Sequence, residues 1–336
     1  RGLNIKATAN HPFLKFEGWI ELKDLKPGDR IATSRKAPTP QSPYPVEDYR
    51  LATLGYLLSE GNLCHPHGIY YYSKDEKEVA DFIKYAKRFQ NARVSINRGK
   101  PTPAVYIGKV NPKQQNELRQ WLNSLDLLGK KAREKTIPDL IFRLNRDQLS
   151  LFIAKMWQGD GCINATQKFP QIFYATSSNS LAYDLQHLLL RLGIISTVHE
   201  KKFKYRNSLR TGWTINISRF TNIKIFSETI GRHLIGEPRK ILENIVASHP
   251  VLSGQISPFS ARGSKDTVPV GFLPIMRSEI YKNYSSLQAF ADAYGSSERL
   301  LVADRAKVGY LRETILNIGS FLQSATLISI ANSDIY

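Results

Sequence analysis

Two stretches one hundred positions apart, Leu51–Gly61 (LATLGYLLSEG) and Leu151–Gly161 (LFIAKMWQGDG), each carry an apolar run into a carboxylate followed by glycine. One such helix is ordinary, but two at this spacing predict a chain built from two related halves. Packed side by side, the helices would bring Glu60 and Asp160 together at one end. Two carboxylates held close repel unless a cation lies between them, and a hard divalent ion with oxygen ligands suits both. The pair reads as a metal site. Acids at a helix C-terminus oppose the helix dipole, so capping alone does not account for them.

The order of elements after each glycine supports the repeat. After Gly61 come a β-type run containing Gly68–Ser73, a helix from Asp75 to Phe89, strands at Arg93–Asn97 and Ala104–Val110, and a helix over Pro112–Leu128. After Gly161 come Gln171–Thr176, a helix over Ser180–Leu192, strands at Ile194–His199 and Trp213–Ser218, and a helix over Asn222–Ile230. This is an α+β chain, αββαββα read twice, which implies a pseudo-two-fold molecule with two mostly antiparallel sheets. Ahead of it, Asn4–Ser34 alternates short β-type runs with turn signals at Glu17-Gly18 and Lys26-Pro27-Gly28-Asp29. Four prolines in Ala37–Pro45 mark a linker. The tail Phe272–Ile328 reads as two or three helices.

Charge points to the partner. Lys and Arg outnumber Asp and Glu by 47 to 29, a net +18, and such an excess suits a polyanion, nucleic acid first. It is densest over Asp81–Ser150, with 15 basic against 6 acidic residues, and over His199–Lys240, with 10 against 3. The two cysteines, Cys64 and Cys162, form neither a disulfide framework nor a zinc set, and a reducing, cytoplasmic setting fits. No run approaches a membrane span and no signal-peptide pattern opens the chain.

Gly55-Tyr-Leu-Leu-Ser-Glu-Gly61 and Met156-Trp-Gln-Gly-Asp-Gly161 resemble the paired dodecapeptides of LAGLIDADG homing endonucleases, over roughly Glu47–Pro269. In that family the two helices form the interface between halves and small residues before the acid allow their close approach, a role that falls to Ser59 and Gly159. Lys155 departs from the pattern, standing where a small residue is usual. The resemblance implies that Glu60 and Asp160 bind Mg²⁺ (or Mn²⁺) across two scissile phosphates. It implies a catalytic lysine beside each acid. Lys135, in Lys-Thr-Ile-Pro138, matches the family's lysine-x-Ile-Pro element; in the second half Lys265, in Lys-Asp-Thr-Val-Pro269, has a similar form, with Lys240 as competitor. Sheet faces of this family lie in the DNA major groove, where base edges are distinguishable. The candidates are Tyr70, Tyr72, Arg93, Asn97, Arg98, Tyr106 and Lys109 in the first half. In the second they are Lys168, Gln171, Lys201, Lys204, Arg206, Arg210 and Arg219.

Ala7-Thr-Ala-Asn-His-Pro-Phe13 resembles the threonine-x-x-histidine block of the Hint splicing domain of inteins, which would give Thr8 and His11 the role of activating the upstream peptide bond. Asn4–Arg35 and the ending Asn332–Tyr336 are similar to inteins of replicative DNA helicases. The implied organisation is a partial all-β Hint domain at 1–37, a linker at 38–48, the endonuclease at 49–270 (repeats 49–149 and 150–270), a helical extension at 271–328 and resuming Hint strands at 329–336. Both splice junctions lie outside such a fragment. The expected function is metal-dependent double-strand DNA cleavage by a monomer within a helicase precursor, with double-stranded DNA and the host helicase exteins as partners and no membrane. Two alternatives stay open: a DNA-binding or maturase-like protein that does not cut, and a precursor fragment whose main activity is protein splicing.

Overall fold

The computed structural model describes residues 5–296 and 310–332, apart from 16–17, 30, 33–37, 39, 41, 100, 166–169, 206–207, 251, 254–266 and 269–271. Two compact units divide the chain, one comprising Lys36–Ser253 with Arg1–Leu3, the other Asn4–Arg35 with Gly254–Tyr336.

In the second unit β1 (Pro12–Lys15) and β2 (Gly18–Glu21) pair antiparallel. Thr8 and His11 precede them in a tight turn, with the His11 N–H donating to the Thr8 carbonyl at 3.0 Å.

The larger unit starts with α1 (Asp48–Glu60), whose residues 51–58 are all buried. A helix apolar on every side belongs inside the fold. Strands β3 (Gly61–Asn62) and β4 (Ile69–Tyr72), helix α2 (Glu76–Ala86), strands β5 (Ala92–Asn97) and β6 (Ala104–Lys109), and helix α3 (Glu117–Ser124) complete the first half. The second repeats it with α4 (Arg146–Asp160), β7 (Gly161–Asn164), β8 (Gln171–Thr176), α5 (Asn179–Arg191), β9 (Ser196–Tyr205), β10 (Ser208–Ile217) and α6 (Phe220–Thr229). The sheets have matching orders, β3-β4-β6-β5 and β7-β8-β10-β9, and every pairing is antiparallel. Side-chain oxygens start the helices that follow β4 and β8: Asp75 accepts from the Lys77 N–H and Ser178 from the Leu181 N–H, satisfying donors the helix leaves open. The cores correspond in part, with Tyr56 of α1 against Tyr71 of β4 in one half and Trp157 of α4 against Tyr174 of β8 in the other; Phe82 of α2 meets both tyrosines, whereas Phe226 of α6 meets Trp157.

Three features differ from expectation. Strands β9 and β10 each run ten residues, longer than the apolar segments Ile194–His199 and Trp213–Ser218, because pairing continues through a polar stretch as a two-stranded ribbon. Helix α7 (Gly236–Ser248) follows α6, burying Leu242 and Ile245. In the second unit β11 (Thr267–Val268) pairs with β12 (Tyr310–Leu311), and among the described residues four helices appear in place of two or three: α8 (Leu273–Tyr281), α9 (Leu287–Tyr294), α10 (Arg312–Phe321) and α11 (Ala325–Asn332). Residues 329–332, expected to resume strand, are therefore helical. The Ser324 hydroxyl accepts from the Leu327 N–H, and Leu327 and Ala331, one turn apart, are buried against the helical core around Phe272 and Phe290. Residues 333–336 lie outside the described set. Among the described residues no helix is long and apolar enough to cross a membrane.

Candidate active site

Both acid-glycine junctions leave a helix directly into a strand. Gly61 and Gly161 have ordinary extended dihedrals, yet a methyl at Gly61 would lie 2.4 Å from the Leu57 carbonyl oxygen and one at Gly161 2.3 Å from that of Trp157. Glycine is required because the chain folds back over its own last turn, which leaves each acid as the final helical residue.

Close approach of α1 and α4 brings the acids together. Gly55 meets the Phe152 carbonyl and Lys155 Cβ, where an added methyl would lie 2.7 and 2.9 Å away, and Gly159 meets Ser59 Oγ and Glu60 Cγ, at 2.4 and 3.1 Å. Each layer thus pairs a glycine on one helix with a larger residue on the other, and the glycine alternates between helices. Lys155 fits because only its β-carbon faces Gly55. Its stem leads away to an ion pair with Asp81 (2.8 Å) and a bond to the His233 carbonyl (3.0 Å), and the Tyr56 hydroxyl also donates to Asp81. Gln158, nearer the acids, joins Glu78 of the first half to the Ile235 backbone.

Glu60 and Asp160 lie on one cleft of about 500 Å³, lined also by Ser59, Lys135, Ala175, Lys201, Phe203, Gly212 and Thr214. Glu60 is exposed and Asp160 half-buried. Burial first, and the Glu60 carboxylate second, push Asp160 up to about 6, against Lys135 and the Tyr174 hydroxyl, which donates to Asp160 Oδ2 at 3.3 Å. Tyr174 escaped the sequence reading. Its signal is register, since it pairs across from Gly161.

Lys135 is brought to the acids, but its ammonium is turned onto the backbone. Nζ donates to the carbonyls of Leu57 (2.9 Å), Leu58 (3.1 Å), Ser59 (3.2 Å) and Gly61 (2.8 Å), the open end of α1. Burial lowers it to about 8, opposed by Asp160 and then Glu60. Its own carbonyl accepts from Ser178 Oγ at 2.7 Å, and the Ile137 N–H reaches Asp184. A lysine from the inter-repeat segment, tethered to α5, therefore closes the end of α1 and offsets the dipole that disfavours Glu60 there. No described lysine does the same for α4. Lys240 is exposed on α7, and Lys265 lies outside the described residues.

Metal fit follows from the donor set. Glu60 and Asp160 supply carboxylate oxygens, and oxygen donors suit a hard divalent ion. Among the described residues no group of three or more His, Cys, Asp or Glu could hold a metal. The pair therefore suits an ion that keeps waters and takes further oxygens from a phosphate, as Mg²⁺ does.

Alternation sorts the proposed DNA contacts. Tyr70, Tyr72, Arg93, Asn97 and Tyr106 share the face of the first sheet opposite the buried Ile69, Tyr71, Val105 and Ile107. Gln171, Lys201 and Arg210 hold the equivalent face of the second, opposite Ile172, Tyr174 and Ile215. Lys109 and Lys204 have the opposite parity and point from the other face. Arg98 lies beyond β5 and pairs with Glu76 (2.7 Å), and Arg219 lies in the turn into α6. Lys168 and Arg206 lie outside the described residues.

Residues 147–231 match the LAGLIDADG-like domain family. Over 68% of its length the chain is 32% identical to the replicative DNA helicase DnaB of Rhodothermus marinus, and over 100% it is 27% identical to DnaB of Synechocystis sp.. Over 75% it is 32% identical to the replication factor C small subunit of Methanocaldococcus jannaschii. It spans only 25%, 38% and 13% of those relatives. Among solved structures, 55% of the chain aligns with 96% of the homing endonuclease I-DmoI in complex with DNA and Mn, at 16% identity and a TM-score of 0.40.

Proposed function

We propose that the chain is a divalent-metal-dependent, site-specific double-strand DNA endonuclease of the LAGLIDADG homing type, carried within a replicative helicase as part of an intein. The observation that carries this reading is the convergence of Glu60 and Asp160, from pseudo-equivalent helices, on one cleft lined by strands of the second sheet. The relatives add support. One segment recurs in proteins with different names and covers a minor part of each, as expected of an inserted element rather than a helicase domain.

Glu60 and Asp160 would hold Mg²⁺ or Mn²⁺, which supplies Lewis-acid stabilisation of phosphate charge and a more acidic water. The protein does the rest by position. Gly159 and Gly55 set how closely the acids approach, Tyr174 orients Asp160, and Lys135 fixes the backbone that carries Glu60. Two pseudo-equivalent acids match two strands of a duplex, and the differing supports, a tyrosine for one and a lysine for the other, predict unequal cutting rates. The test is a duplex containing the uninterrupted host-gene junction, incubated with Mg²⁺ or with chelator. Double-strand cleavage is expected only with Mg²⁺, and Glu60→Gln and Asp160→Asn should abolish it while binding survives. Full cleavage by both variants would refute the assignment.

The non-cutting, maturase-like alternative has one observation in its favour: among the described residues no lysine closes the end of α4 as Lys135 closes that of α1. The cleavage assay decides between the two. For the splicing layer, Thr8 and His11 share one turn ahead of β1, and a full precursor with His11→Ala should lose splicing.

A further inference from the structure

We infer that the two sheets divide the recognition of DNA, the first reading bases through a fixed tyrosine platform and the second gripping phosphates through a cationic ribbon; this rests on the nuclease reading above. On the first sheet Tyr106 lies across two glycines. A methyl at Gly68 would sit 2.1 Å from its Cε2 and one at Gly108 2.7 Å from its Cε1. Its hydroxyl donates to the His67 carbonyl at 3.0 Å, so ring and rotamer are set. Tyr70 packs on Tyr106 with centroids 5.1 Å apart, Tyr72 lies parallel to Tyr70 within 8°, and His65 meets Tyr70 at 4.8 Å. The hydroxyls of Tyr70 and Tyr72 bond to no described residue and remain available. Rigid phenols with free hydroxyls lose little entropy on binding and can donate to or accept from base edges. Arg93 is the one described cation that strand parity places on this face.

The second sheet is built differently. Pairing of β8 with β10 begins at Trp213, so the stretch of β9 and β10 from Lys201 to Gly212 extends beyond it as two strands. That ribbon carries Lys201, Lys202, Lys204 and Arg210, none ion-paired to a described residue, and the Arg210 guanidinium lies 4.0 Å over the Tyr205 ring. Its lysines point from both faces, Lys201 from one and Lys202 and Lys204 from the other. Base edges lie on one face of such a ribbon, so Lys202 and Lys204 on the other can reach only the phosphates that border the groove. The arrangement suits backbone contact, which positions without reading sequence.

The test uses the full chain with chelator, so that nothing is cut, and the duplex carrying the uninterrupted host junction. Affinity is measured from 50 to 200 mM KCl and against a panel of single base-pair substitutions. Lys202→Ala/Lys204→Ala should reduce the slope of log affinity against log salt by about two, leaving base preferences unchanged. Tyr70→Phe/Tyr72→Phe keeps both rings, and should leave the slope unchanged while losing about tenfold discrimination at positions confined to one half-site. The division is overturned if the tyrosine variant keeps wild-type preferences, or if the lysine variant loses preference while keeping its slope. A wild-type chain that does not prefer the junction over a scrambled duplex overturns the nuclease reading itself, a result distinct from either.

Discussion

Lys135 shows how a single residue can be found from sequence while its work is not. Its lysine-x-Ile-Pro setting marks it, but the four carbonyls around Nζ are brought together by the end of α1, more than seventy residues away. A lysine that only faced phosphate would leave stability unchanged when removed. Lys135→Met should instead lower stability by about 2–3 kcal/mol, because charged-group hydrogen bonds are lost and buried carbonyls left open. The check is a fall in the urea midpoint at constant m. Asp160 should behave in the opposite sense: burial disfavours the charged form of both groups, but four carbonyls offset it for Lys135 and a single tyrosine hydroxyl for Asp160. Its folded-state value is raised to about 6 from an ordinary 3.8, so at pH 7.5 without metal the folded chain bears a burial and repulsion cost that the unfolded chain escapes. Asp160→Asn removes that cost and should raise the midpoint. The gain should shrink as pH falls through 6, where the wild-type carboxyl takes up its proton on folding, and largely vanish below the unfolded value. An Asp160→Asn gain that grew on acidification would show the sign to be wrong.

At the scale of elements, the interface of α1 and α4 is set by complementary steps rather than symmetric ones. Gly159→Ala should cost about 1–3 kcal/mol, since its methyl would lie 2.4 Å from Ser59 Oγ. Adding Ser59→Gly should recover most of that loss, a coupling readable in a double-mutant cycle. Deeper along the same interface the side chains of Lys155 and Asp81 are 3% and 15% exposed. Asp81→Asn leaves a buried ammonium without its counter-charge and should cost about 3–5 kcal/mol, whereas Asp81→Asn/Lys155→Met should be far milder. Sequence reading located these elements because apolar period and turn residues are local signals. It missed the ribbon of β9 and β10, where cross-strand bonding holds polar residues in strand, and it missed α11 past residue 328, where burial of Leu327 and Ala331 decides. It also grouped Lys109 and Lys204 with residues of the opposite face. The alternation of Val105 and Ile107 assigns Lys109 to the other side, a signal present in the sequence itself.

For the larger unit as a whole, the repeat was readable because each half must bury one apolar helix and one sheet face, and those requirements recur along the chain. The convergence of the acids was readable for the same reason, but not the partners Tyr174, Ser178 and Asp184, which depend on register and on contacts between halves. Charge is the remaining global property, and it makes two linked predictions. A net +18 opposes compaction by self-repulsion and favours a polyanion. Added salt screens the first effect and weakens the second. Between 50 and 200 mM KCl the thermal midpoint of the free chain should therefore rise by a few degrees, while affinity for duplex DNA falls by about 10³–10⁵ if six to ten phosphates are contacted. The opposite signs carry the argument, because salt that merely destabilised the fold would lower both together. Calorimetry and a binding titration in one buffer series decide it: a midpoint that falls with affinity would mean the basic surface is already neutralised within the fold, leaving no long-range attraction for DNA.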